Sequence, residues 1–153
     1  MALRGSANRR RAGGMAAIEF AIVFPLLFAV VLGIVYYGMV LALQQVLTLA
    51  AEEGARAALR YPLTSNGGTL ATTLAQRVVA ADQAARSALP PNLASRFPAG
   101  SLAQALACTA PPGTQCVQVA LNLSTQTILP AVPFVPVPAS LTGTAVVQLS
   151  PDT

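Results

Sequence analysis

Arg9-Arg10-Arg11-Ala12-Gly13-Gly14-Met15-Ala16-Ala17-Ile18-Glu19-Phe20, continued by the apolar run 20–43 (FAIVFPLLFAVVLGIVYYGMVLAL), decides the fold. Three arginines, two glycines and one carboxylate open a segment with no further charge until Glu52. The 24 uncharged residues from 20 to 43 span roughly 36 Å as an α-helix, enough to cross a hydrocarbon core with some tilt. A helix of a soluble core rarely stays apolar on every face for that long. A cleaved secretory signal needs a shorter apolar core and a small-x-small site, which Tyr36-Tyr37-Gly38 does not provide. The run is predicted to span a membrane.

Charge sets its orientation. The side chains sum to +4, yet Arg4, Arg9, Arg10 and Arg11 all precede Gly14, and the remaining five arginines balance the five acids. A basic tail before a membrane helix is a topology signal that keeps the N-terminus in the cytoplasm. The C-terminal part is then expected on the outer, periplasmic side. No basic stripe with interleaved aromatics follows, so nucleic-acid binding is not expected. With 54% apolar and 9% charged residues, the chain has neither the low hydrophobicity nor the high net charge of a disordered one.

Inside the run, Pro25 removes one backbone hydrogen bond, to the carbonyl of Ala21, and predicts a kink or local loosening. Gly33 and Gly38 suit either close helix packing or the ordinary glycine content of membrane helices. Beyond Leu43 the pattern turns amphipathic. Leu43, Val46, Leu47, Ala50, Gly54, Ala57 and Ala58 share a stripe, with Gln44, Glu52, Arg56 and Arg60 as polar relief. Glu52 and Arg56 form an i, i+4 pair in the favourable order. Because Tyr61 precedes Pro62, the helix is expected to end near Arg60.

A small head domain is expected over 61–153. Asn66-Gly67-Gly68 marks a turn and Thr69 a cap. Leu70, Leu74, Val78, Ala81, Ala85 and Leu89 then recur at helical spacing up to Pro90-Pro91, with Asp82 and Arg86 as a surface ion pair. Residues 92–107 fit a short helix after Ser101 or an edge strand. Val117, Val119, Leu121 and Leu123 alternate with polar or small residues as a strand, and 141–149 reads as a second. The proline-rich stretch 129–138 between them is expected to be an extended crossover or surface loop, covering the sheet or contacting a neighbouring subunit. Cys108 and Cys116 match no zinc or C-x-x-C pattern. Outside the cytoplasm they would close one structural disulfide; the alternative is two buried thiols. The expected class is α+β: a long N-terminal helix, a second helix and a short antiparallel sheet.

Three blocks carry a family resemblance. The leader and site, RRRAGGMAAIEF, resemble those of type IV prepilins. The run with an early proline, EFAIVFPLLFAVVLGIVYYG, is similar to the TadE-like family of tight-adherence (Tad, or Flp) pilus assembly. The block Ala50-Ala51-Glu52-Glu53-Gly54-Ala55-Arg56-Ala57-Ala58 is close to that family's A-x-E-G-A-R-A. The resemblance singles out Phe20, Pro25, Glu53, Gly54 and Arg56 as motif residues. It implies a basic leader over 1–14, a helix over 15–60 and membrane passage at about 20–43. A prepilin peptidase would cut between Gly14 and Met15; a cut after Gly13 would place Glu19 sixth rather than fifth. Glu19 would then neutralise the new α-amino group, both charges being costly in hydrocarbon. A snorkelling residue at the interface is the other role open to it. The tail departs from the family ending, closing on Pro151-Asp152-Thr153.

The implied function is a minor pseudopilin in the bacterial inner membrane, partnered by the bilayer, the peptidase, other pilins and the Tad assembly platform. The competing expectation is an uncleaved single-pass envelope scaffold of the TadG-like kind. Catalysis is not expected. The chain has no histidine, the adjacent Glu52 and Glu53 project about 100° apart on a helix, and neither a phosphate loop nor a nucleophile elbow occurs. No cofactor or metal is expected.

Overall fold

The computed structural model describes residues 8–60, 70–109, 113–130 and 135–149. The elements run α1 (Asn8–Arg60), α2 (Leu70–Ser87), α3 (Pro91–Ala94), β1 (Ala103–Ala107), β2 (Gln115–Ser124), a 3-10 turn (Thr125–Thr127) and β3 (Ser140–Leu149). Two compact units result, one up to Val40 and one from Leu41 onward. The α+β class expected from the sequence is the class observed.

The described residues of the first unit are all helix. Its side chains from Gly14 to Leu32 are exposed along the whole length, Ile22 at 71% and Phe24 at 48%. Among the described residues α1 is the one helix long and apolar enough to cross a membrane, over Gly14–Arg60. Leucine, isoleucine, valine and phenylalanine presented on every face have a physical solvent in lipid, not in water. The helix starts at Asn8 and passes through Gly13 and Gly14, seven residues ahead of the start expected at Met15. It also continues through Pro25.

In the second unit α1 changes character. Leu47, Ala50, Ala51 and Ala58 are fully buried and Ala55 nearly so. That matches the expected stripe and widens it by two alanines. Small side chains here let neighbouring backbones come close. A Cβ on Gly54 would lie 2.9 Å from the Ala81 carbonyl oxygen, 2.9 Å from the Ala85 Cβ and 3.2 Å from Val119 Cγ1. Gly54 is thus the point where α1, α2 and β2 meet. Gly143 of β3 lies flat against the Leu47–Thr48 peptide, and a Cβ there would overlap the Leu47 carbonyl oxygen. α1 ends at Arg60 as expected; Tyr61-Pro62, the Asn66-Gly67-Gly68 turn and Thr69 lie outside the described residues.

The sheet is three-stranded and antiparallel in the order β1-β2-β3. Val119 of β2 pairs with Ala103 on one side and Ala145 on the other, and Leu121 faces Gly143. Val117, Val119, Leu121 and Leu123 point into the core with Leu141 and Leu149, while Asn122, Thr142, Thr144 and Gln148 face outward. The period-two alternation in the sequence is therefore the two faces of one sheet. Of the alternatives for 92–107, the edge strand is realised, preceded by the single turn of α3. β2 and β3 are direct neighbours, so the proline-rich stretch returns the chain to the adjacent strand rather than crossing the sheet. Within it, 131–134 lie outside the described residues, and 135–138 have no regular structure.

Candidate functional site

The residues singled out from the sequence fall into three places. Gly14, Met15, Glu19, Phe20 and Pro25 lie on the exposed helix of the first unit. Met15 is 67% exposed, and a Cβ on Gly14 would meet nothing within 4 Å. Met15 and Glu19 are four residues apart on one helix, the spacing at which neighbouring turns meet. Removal of the leader would put an α-amino group at Met15 one turn from that carboxylate. Phe20 also opens a ladder that the sequence reading missed. Its ring stacks on Phe24 at 5.2 Å, and Phe24 on Phe28 at 5.8 Å. Three phenylalanines at successive i, i+4 positions were the available signal.

Glu53, Gly54 and Arg56 lie in the second unit and divide between surface and core. Arg56 donates to Glu53 at 2.8 Å and approaches Glu52 at 3.6 Å, all three side chains about half exposed. The closer partner is Glu53, not the i, i+4 residue Glu52 expected from spacing. Exposed pairs of this kind contribute at most about 1 kcal/mol. Gly54 between them is buried and carries the close packing described above. The post-membrane block thus shows an ionic outer face and a glycine inner face on one helical turn.

The third place is the β1–β2 hairpin. Cys108 and Cys116 form a disulfide with a Cα–Cα distance of 5.2 Å, and the Cys108 N–H donates to the Thr114 carbonyl. Gly113 supports the turn with φ of 90°, a conformation that favours glycine. The Ala-Pro-Pro stretch 110–112 lies outside the described residues.

Two polar residues of α2 prove more deeply placed than the sequence suggested. Asp82 is buried, 7% exposed, rather than half of a surface bridge. Its carboxylate accepts from the backbone N–H of Leu102 at 2.9 Å and of Gly100 at 3.3 Å, and from Arg86 Nε at 3.4 Å. Arg86 in turn donates to the carbonyls of Ala94, Phe97 and Pro98. The pair ties the loop after α3 to the start of β1. Arg77, 2% exposed, reaches the Ala58 carbonyl at 2.9 Å and the Thr73 hydroxyl at 3.5 Å. It satisfies a carbonyl in the last turn of α1, where intrahelical donors run out. Of the expected row, Ala81, Ala85 and Leu89 are buried, whereas in the first half of α2 Thr73 and Arg77 take the buried positions and Leu74 and Val78 are only half-buried.

Residues 14–56 match the family model described as TadE-like protein. Over this segment the chain is similar to TadE-like proteins. The match covers the exposed apolar helix and ends at Arg56, inside the ionic turn. No curated protein and no solved structure matches the chain. The TadE-like segment supports a Tad pilus-associated protein, and its long apolar helix is compatible with a single-pass membrane protein. A depression of about 380 Å³ on α2, lined by Ala75, Gln76, Val79, Ala80 and Gln83, carries no acid, base or nucleophile in that lining. Among the described residues no three His, Cys, Asp or Glu side chains gather as metal ligands.

Proposed function

We infer that this chain is a minor pseudopilin of the Tad pilus, cut between Gly14 and Met15 and assembled through its apolar helix. The single observation behind this reading is the TadE-like match over 14–56, which takes in the exposed apolar stretch of α1 from Gly14 to Leu32. An apolar helix exposed from Gly14 to Leu32 is suited to two environments in turn, lipid before assembly and neighbouring helices after it. The chain acts as a structural subunit, not an enzyme. Its partners are a prepilin peptidase, other pilins and the inner-membrane platform, with the N-terminus cytoplasmic and the second unit periplasmic. The disulfide suits that oxidising side.

One observation favours the other reading, an uncleaved envelope scaffold: α1 is unbroken across the bond that would be cut. N-terminal mass spectrometry of the chain from native membranes separates the two. A mature chain beginning at Met15 is expected; an intact leader with working pili would overturn the pseudopilin reading. Gly14→Leu is expected to leave the full-length chain in the membrane.

A further inference from the structure

Two glycines side by side in a helix call for a reason. Gly54 and Gly143 have one, since a Cβ at either would strike a neighbouring backbone, and Gly100 and Gly113 have positive φ of 72° and 90°. Gly14 has neither, and nor do Gly33 and Gly38 in the same helix, where an added Cβ would also meet nothing within 4 Å; of these three, Gly14 is the one that follows another glycine. The fold asks for no glycine there, and Gly13 precedes it in the same helical stretch, where glycine is the weakest helix former after proline.

Building on the processing reading, we propose that Gly13-Gly14 is a built-in weak point that lets the helix open for the peptidase, with Gly13 setting how easily. α1 covers the bond from Gly14 to Met15, with more than one turn of helix ahead of it, from Asn8. Hydrolysis of a peptide bond in a structured segment proceeds from a locally opened state. Helix opening takes well under a millisecond, whereas enzyme turnover is far slower, so the rate follows the open population. Gly14 contributes twice, as a weak helix former and as the small residue at the cut. Gly13 leaves with the leader and contributes only to the opening. It is a positioning residue for cleavage, acting through backbone freedom.

The test follows conversion of the full-length chain in membranes by a prepilin peptidase, with product N-termini read by mass spectrometry. Wild type, Gly13→Asn and Gly13→Ala are compared. Asn is larger than Ala but a weaker helix former, so steric and helical effects predict opposite orders. The expected order is wild type fastest, Asn about twofold slower and Ala about fivefold slower. Equal rates, or Asn slower than Ala, would overturn the role of Gly13 while a Met15 terminus in wild type left the processing reading standing. An uncut wild type would overturn both.

Discussion

A single methyl group at position 54 would lie 2.9 Å from both the Ala81 carbonyl oxygen and the Ala85 Cβ. Two of the three atoms it meets are helix backbone or a rigid Cβ, so little can yield. Gly54→Ala is expected to destabilise the second unit by about 1–3 kcal/mol, read as a shifted denaturation midpoint of the full chain in detergent. Glycine at this position of the chain therefore has a packing cause. Asp82 is the second residue on which much depends. Asp82→Ala would leave the buried Leu102 N–H without its acceptor and free Arg86 from its carboxylate. A loss of about 2–3 kcal/mol is expected, with faster amide exchange at Leu102 as the local signature. Asp82→Asn, which keeps one acceptor oxygen, is expected to lose less. Gly54 lay on the apolar stripe read from the sequence, but the burial of Asp82 could not be seen in the chain itself. Asp82 and Arg86 at i, i+4 look the same in sequence whether solvated or roofed by a loop.

At the scale of elements, helices and strands were legible where a pattern repeated. The apolar run, the stripe after Leu43 and the alternation 117–123 all became the elements they predicted, because hydrophobic period follows backbone geometry. Short, ambiguous pieces were decided by pairing. Residues 103–107 are a strand because β2 offers them a ladder from Ala103–Val119 to Ala107–Gln115. α2 starts at Leu70 as expected and buries Ala81 and Ala85 of the expected row, but its first half turns Thr73 and Arg77 inward. Arg77 occupies an inward position since the last turn of α1 supplies a carbonyl for it. The hairpin carries its own prediction. A Cys108→Ser/Cys116→Ser chain is expected to be less stable by about 2–3 kcal/mol, the loop-entropy value for so short a closure. Denaturation of wild type with and without reductant checks it: reductant should lower wild type to the level of the double variant and leave the variant unchanged.

For the molecule as a whole, the division after Val40 separates a helix exposed from Gly14 to Leu32 from a unit with a packed core. Function in the proposed reading rests on the first and its display on the second. Glu19 links chemistry to assembly there. Glu19→Ala is expected to leave cleavage near normal while pilus assembly falls sharply, measured as processed chain in the membrane against piliation counts; normal piliation would remove the proposed charge pairing.

What the sequence by itself determined is the solvent of each segment and its period. A membrane-length helix, an amphipathic continuation and a half-buried sheet follow from local hydropathy, because burial of apolar side chains needs no particular partner. Only the tertiary structure decided which polar groups go inside and which glycines are indispensable. Arg77 meets Ala58, Asp82 meets Leu102 and Gly143 meets Leu47 across long separations in the chain. A buried polar group is tolerable only when a specific donor or acceptor folds against it, and that partner is set by the assembled fold rather than by neighbouring residues.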